Sequence, residues 1–145
     1  MVAFLSKVVR IGVTISEDVL RDLDILIKDL KVKSRSMIIS RALREYINDR
    51  KIFAGSGNVI GTINILYNHH EHETAQKLNE IQHKYAHIIR STTHVHIDKE
   101  RCFEIIITSG DMDKIREFYL EIEGLRGVKM IKPIFFNVET RPHFH

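Results

Sequence analysis

The 145-residue sequence predicts an α+β protein of two unlike parts. An N-terminal strand-helix-helix unit precedes a C-terminal β-α-β-β-α-β domain of the ferredoxin-like pattern. Three observations predict this. A short apolar alternation is followed by two stretches with helical spacing. A run of small residues, Ala54-Gly55-Ser56-Gly57-Asn58, then interrupts the pattern. Beyond it, alternating and helical stretches succeed one another in βαββαβ order. The chain therefore divides into residues 1–53, a linker at 54–58 and a second domain at 59–145.

In the first part, Val9, Ile11, Val13 and Ile15 alternate with Val8, Arg10, Gly12 and Thr14. Period two with β-branched residues predicts a strand over residues 8–15. Ser16 stands at a helix N-cap, with Glu17 and Asp18 in the first turn, where the helix dipole favours acids. Val19, Leu20, Leu23, Leu26, Ile27 and Leu30 make residues 17–30 an amphipathic helix. After Lys31-Val32-Lys33, Ser34 or Ser36 can cap a second helix with Ile38, Ile39, Ala42, Leu43, Tyr46 and Ile47 on its apolar face. So small a unit has too little core to stand alone, and its single strand has two open edges. Two copies that pair their strands antiparallel remove both problems.

In the second part, residues 59–67 form a strand and His70 to about Ile89 a helix. Strands follow at 92–97 and 101–108, joined by a turn at Asp98–Glu100. Gly110-Asp111 opens a helix that runs to about Ile122, and Gly124 ends it. Residues 128–136 form the last strand, and 140–145 a polar tail.

Composition narrows the function. Hydrophobic residues at 43% and charged residues at 28% are ordinary for a soluble globular chain. No apolar run approaches the roughly 18–20 residues that a membrane span needs, and the start, MVAFLSKVVR, lacks the features of a signal peptide. The single cysteine, Cys102, excludes an intrachain disulfide and fits a reducing cytoplasm. The net charge is +3, and residues 1–51 hold eleven Lys and Arg against seven Asp and Glu. The first part therefore carries the basic surplus, which suits nucleic acid.

A paired two-stranded ribbon fits the DNA major groove, where base edges are distinguishable. Arg10, Gly12 and Thr14 face outward on it. Arg10 can bond guanine, and Thr14 can bond a base edge or pack on a thymine methyl. Arg35, Ser36 and the backbone N–H groups that open the second helix can hold phosphate. The same pattern also serves a plain dimerisation module.

The densest chemistry is histidine. Seven of nine (His69, His70, His72, His83, His87, His94 and His96) fall within 28 residues. In His94-Val95-His96 the two imidazoles share one strand face, roughly 6.5–7 Å apart. Cys102 opens the next strand of a tight hairpin and returns its sulfur to that neighbourhood. Two imidazoles and a thiolate suit Ni(II), Cu(II) or Zn(II), not Mg or Ca. His83 and His87, at i and i+4 on the preceding helix, are candidates for a fourth ligand, from this chain or a partner. His69, His70 and His72 read as solvated or as auxiliary contacts, and Glu104 as a group that orients a ligand.

Taken together these features resemble the NikR family of nickel-responsive repressors over about residues 8–137. The resemblance rests on Gln82-His83, Thr93-His94-Val95-His96-Ile97, Cys102, Glu104, Gly110-Asp111-Met112 and Gly124-Leu125-Arg126-Gly127-Val128. It implies a ribbon-helix-helix DNA-binding domain and an ACT-type C-terminal domain that forms a tetrameric core. It also implies one square-planar Ni(II) per subunit, held by His94, His96 and Cys102 with His83 of a neighbouring protomer. Further implications are palindromic double-stranded operators, a mobile helix and loop bearing His83 and Tyr67–His70 that nickel orders, and repression of nickel uptake. No catalytic residue follows from it.

Three departures stand out. Gly12 takes the middle reading position of the ribbon. Met37 and Arg41 replace the acidic residues that hold an interdomain cation in some members, so that site is not expected in its usual form. Met1–Lys7 form an arm ahead of the ribbon. Regulators of the same build for cobalt, zinc or copper, or for an amino acid, compete with this reading. A metal-dependent hydrolase competes more weakly.

Overall fold

A computed structural model describes residues 7–71 and 73–138. Most of the N-terminal arm, His72 and the tail at 140–145 lie outside the described residues. Backbone contacts divide the chain into two compact units between Glu45 and Tyr46.

The first unit contains α1 (Glu17–Asp29) and the start of α2 (Arg35–Ala54). Ser16 precedes α1 in extended backbone, and Glu17 and Asp18 occupy its first turn. Of the two serines that could cap α2, Ser34 does so, its Oγ accepting the Met37 N–H at 3.2 Å. Arg35 donates from Nε and Nη2 to the two carboxylate oxygens of Asp24, at 2.8 and 2.7 Å, and ties the helices together. The expected strand at 8–15 makes no ladder within the single chain. Its apolar residues stand exposed, Val9 at 72% and Ile11 at 70%. Neither α1 nor α2 buries a residue fully. The backbone groups of this segment have no ladder partner among the described residues.

The second unit holds the core. Its order is β1 (Asn58–Asn68), α3 (Thr74–Lys84), a 3-10 turn (Ala86–Ile88), β2 (Ile89–His96), β3 (Arg101–Asp111), α4 (Met112–Glu123) and β4 (Val128–Asn137). The four strands form one antiparallel sheet in the order β2-β3-β1-β4. The expected βαββαβ order is therefore present. On one sheet face Val59, Ile63, Ile65, Tyr67, Cys102 and Ile106 meet Leu78 of α3 and Ile115, Phe118 and Ile122 of α4. The period-two alternation of β1 and the helical spacing of α4 produce this seam. The other face carries Ile60, Ile107, Met130, Ile134 and Phe136, all exposed.

Several boundaries differ from expectation, each for a local reason. α3 begins at Thr74, not His70, because Glu73 sits in left-handed backbone (φ 56) and residues 69–71 form a turn. It stops at Lys84, and the following turn carries Ile88 into the core, so β2 starts at Ile89, before Thr92. α4 begins at Met112 because Asp111 caps it, accepting the Asp113 N–H at 2.8 Å. The small-residue stretch read as a linker is tied down. Arg116 Nε donates to the Phe53 carbonyl at 2.8 Å, and Met112 N–H to that of Gly57 at 2.9 Å. Gly57 has φ +93, a conformation that favours glycine. Phe53 packs edge-on against Tyr119 with ring centroids 5.1 Å apart.

Gly61 is required for space rather than for backbone freedom. A Cβ there would overlap the Ile134 carbonyl oxygen and the Phe135 side chain on β4. Forcing strands apart in a packed core costs about 1–3 kcal/mol. Gly61→Ala should lower the denaturant midpoint of the second unit accordingly, read by circular dichroism. An unchanged midpoint would show that β1 and β4 do not meet here as described.

Candidate metal centre

Strand register builds the site. Cys102 on β3 pairs with Tyr67 on β1 on one side and with His96 on β2 on the other. One row along, Glu104 pairs with Ile65 and His94. Pairing alternates faces by two, so Tyr67, His94, His96, Cys102 and Glu104 all point to the helix-covered side. The β2–β3 hairpin that sets this register is pinned by Asp98. Its carboxylate accepts the Glu100 and Arg101 N–H groups at 3.0 and 2.7 Å and Arg101 Nε at 2.7 Å. These bonds hold Asp98 at a pKa of about 2, the Arg101 backbone bond being the largest cause.

The sulfur of Cys102 is the focus. His96 Nδ1 lies 3.3 Å from it and His69 Nδ1 3.2 Å. Among the described residues, His69, His96 and Cys102 form a group whose ligand atoms all lie within 4.8 Å of one another. His69 reaches the sulfur because its backbone N–H donates to the Glu100 carbonyl at 3.1 Å, which docks the turn after β1 on the hairpin. His70 lies against it with the rings tilted by 50° and their centroids 3.9 Å apart, and its Nε2 bonds the Lys99 carbonyl at 3.1 Å. Cys102 is buried, and burial followed by the nearby Glu104 pushes its thiol above the ordinary range. Burial, then neighbouring His70, lowers His69 below the usual imidazole value, so it is neutral and able to ligate near pH 7.

His94 is held differently. Its Nδ1 lies 3.3 Å from the Tyr67 hydroxyl and 3.6 Å from Glu104 Oε2. Its ring centroid is 4.8 Å from that of His96. Glu104 is buried without a lysine or arginine among its described contacts. Instead it accepts the Tyr67 hydroxyl at 3.1 Å and Gln82 Nε2 at 2.6 Å. Gln82 in turn accepts the Thr92 hydroxyl at 3.1 Å. A hydroxyl that accepts the N–H of one ring nitrogen of a histidine fixes its tautomer and leaves the other nitrogen free for a metal, and the Tyr67 hydroxyl, itself donating to Glu104, is placed to do this for His94. Burial, then Glu104, raises the pKa of Tyr67, which stays a neutral donor.

The other candidates lie apart. His83 is exposed on α3, beside a groove lined by Asn79, Gln82, Ala86 and Ile89, and outside the cluster. His87 is exposed against Tyr85, its ring centroid 6.5 Å away. In the first unit, Arg10, Gly12, Thr14 and Ser36 are exposed, and Arg35 is committed to Asp24. Sequence reasoning missed the contact of His69 with Cys102 and the bonding role of Gln82. A glutamate amid the apolar alternation of β3 was the available signal for Gln82, since buried carboxylates need donors. Nothing in the spacing announced His69, whose place depends on register.

Imidazole and thiol donors gathered about the buried Cys102 fit a borderline-soft divalent ion and not a hard one. Comparison with known proteins agrees. The family described as "NikR C terminal nickel binding domain" matches residues 60–135. The family "Ribbon-helix-helix protein, copG family" matches residues 9–50. A protein of Dictyoglomus thermophilum, named as a nickel-responsive regulator, is 38% identical over 86% of this chain and 93% of its own. One of Methanocaldococcus jannaschii with the same name is 39% identical over 85% and 88%. Another, of Trichlorobacter lovleyi, is 34% identical over 96% and 99%.

A ligating thiol must lose its proton, and Cys102 holds that proton more tightly than an ordinary thiol. Metal binding at this cluster therefore displaces a proton at neutral pH and should strengthen as pH rises, by about tenfold per unit for each proton displaced. Calorimetry across pH 6–8 (roughly, a window below the ordinary thiol value) checks this. A flat profile would exclude Cys102 as a ligand.

Proposed function

Because the chain belongs to the NikR family of nickel-responsive transcription regulators, we propose that it is a nickel-controlled repressor of nickel uptake that reads palindromic duplex DNA. It is a regulator rather than an enzyme. One Ni(II) per subunit is held by His94, His96 and Cys102 with His83 of the partner subunit. The observation that carries the reading is the double row on the sheet, Tyr67-Cys102-His96 beside Ile65-Glu104-His94. His83 supports it by lying exposed and away from its own chain's cluster, where a second chain can use it. Bound there, nickel supplies a cross-link between subunits. Tyr67 and Glu104 orient His94, and Gln82 ties α3 to the same carboxylate.

Residues 1–53 form the DNA-reading domain, 54–58 the joint and 59–145 the nickel-binding and tetramerisation domain. Two features support assembly into a dimer of dimers. The first unit buries no helical residue on its own. The second leaves one sheet face apolar and uncovered, with Ile134 at 55% and Phe136 at 62% exposure. Paired ribbons would present Arg10, Gly12 and Thr14 to base edges. Ser36 and the N–H groups that open α2 would meet phosphate, joined by the part of the Arg35 guanidinium that Asp24 leaves free. The population of the DNA-gripping arrangement rises only by the differential affinity of nickel for it. A cytoplasmic setting suits the free thiol. The donor set alone would also suit a cobalt, zinc or copper sensor.

Cys102→Ala and His94→Ala should each abolish tight nickel binding and the nickel dependence of operator binding, with the first unit still folded. Calorimetry and gel shifts with and without nickel check this, and unchanged nickel affinity would refute the ligand set. Arg10→Ala should weaken operator binding by about 1–3 kcal/mol and relax its specificity. An equal loss on random DNA would make Arg10 a phosphate contact.

A further inference from the structure

We infer that Gly12 sets a base preference through the side chain it lacks: the space left on the outward face of the ribbon receives the C5-methyl group of a thymine, packed against the glycine backbone. This rests on the DNA-reading proposal above and gives the middle reading position a role of its own. Two other glycines show what the chain itself can require. Gly57 has φ +93, which residues with side chains rarely adopt, and a Cβ at Gly61 would overlap the Ile134 carbonyl oxygen. Gly12 has neither reason. Its backbone is outside the left-handed region, and a Cβ built on it would meet no atom of the described residues within 4 Å. Glycine also loses more conformational freedom on ordering than any other residue. The requirement for it therefore comes from outside the chain.

Gly12 lies between Arg10 and Thr14, and all three are exposed. Period-two alternation puts them on one side of the segment and Val9, Ile11 and Val13 on the other. When two such segments pair, the neighbouring strand lies beside Gly12 in the plane of the ribbon, whereas a Cβ would stand perpendicular to that plane. Pairing therefore does not need the glycine, but a body that closes on the outward face does. A strand glycine of this kind marks a close approach of the backbone to a ligand. In the major groove thymine projects an apolar group, its C5-methyl, where the other bases present hydrogen-bonding atoms. Gly12 has no side-chain donor or acceptor to answer those atoms, but its Cα methylene can pack on a methyl. Arg10 and Thr14 form the walls of the notch that holds it.

The test uses the full chain with nickel(II). Duplexes are enriched on the parent protein from a random-sequence pool. Each thymine of the enriched half-site is then replaced in turn by deoxyuridine, which lacks only the methyl. At one of these thymines the replacement should weaken parent binding by about 4-fold, the order of one methyl group returned to water. Gly12→Ala should bind the thymine duplex at least ~10-fold more weakly than the parent, the order of one spoiled base contact. It should regain affinity on the deoxyuridine duplex, where the missing methyl leaves room for the Cβ. Its thermal unfolding midpoint should equal or exceed the parent's, because alanine orders more readily than glycine. Parent-like binding of both duplexes by Gly12→Ala would overturn the inference. So would a parent indifferent to every replacement, or a Gly12→Ala that unfolds at lower temperature, which would give the glycine a role inside the fold. If the parent enriches no sequence at all, the DNA-reading proposal itself fails, and the inference with it.

Discussion

The antiparallel pairing of β3 with both of its neighbours at Cys102 is the constraint on which the site depends. That one residue sits opposite Tyr67 and opposite His96. The register sends a sulfur, an imidazole and a phenol to the same side of the sheet, and the next row adds Glu104 and His94. A slip by one residue would turn all of them to the other face. The fold protects the register twice. The Ile63, Ile65 and Ile106 side chains bury on the same face, and Asp98 closes the hairpin with three bonds.

Both units leave apolar surface exposed. The N-terminal unit exposes the apolar residues of its 8–15 segment and the apolar stripes of two helices. The C-terminal unit has a sound core on one side of its sheet and bare isoleucines and Phe136 on the other. His83 is exposed and lies outside the cluster of its own chain. On the proposed assembly, another copy of the same chain would meet each deficit, and a cyclic or dihedral arrangement would meet all of them at once. Metal affinity and assembly then become linked quantities, since a ligand held across an interface contributes only when the interface forms.

Much of this was legible in the residues, for identifiable reasons. The alternation of Val59, Ile63 and Ile65 and the spacing of Ile115, Phe118 and Ile122 specify the β1 strand and the α4 helix directly. The pair His94 and His96 is readable because strand period is fixed, and Cys102 because a tight hairpin can return only to its own start. The first turn of α3 was not readable. Its end is set by a left-handed Glu73 and by backbone bonds from the β2–β3 hairpin, which are tertiary. The linker looked mobile because its residues are small, yet Arg116, far away in sequence, bonds the Gly55 carbonyl. His69 is legible only when Tyr67 is known to pair with Cys102. The bidentate Arg35–Asp24 pair likewise joins two helices whose packing no single stripe announces.

The central claim is that one nickel site draws on two chains, and mixing two damaged chains tests it most directly. His83→Ala lacks the donated ligand but retains the hairpin donors, and Cys102→Ala lacks the sulfur but retains His83. The two variants are co-expressed, purified as mixed oligomers and titrated at nickel concentrations too low to load either variant alone. The account predicts that the mixture recovers tight nickel binding at a fraction of its sites, because each mixed interface joins an intact hairpin to an intact His83. Binding no greater than the sum of the separate variants would contradict it.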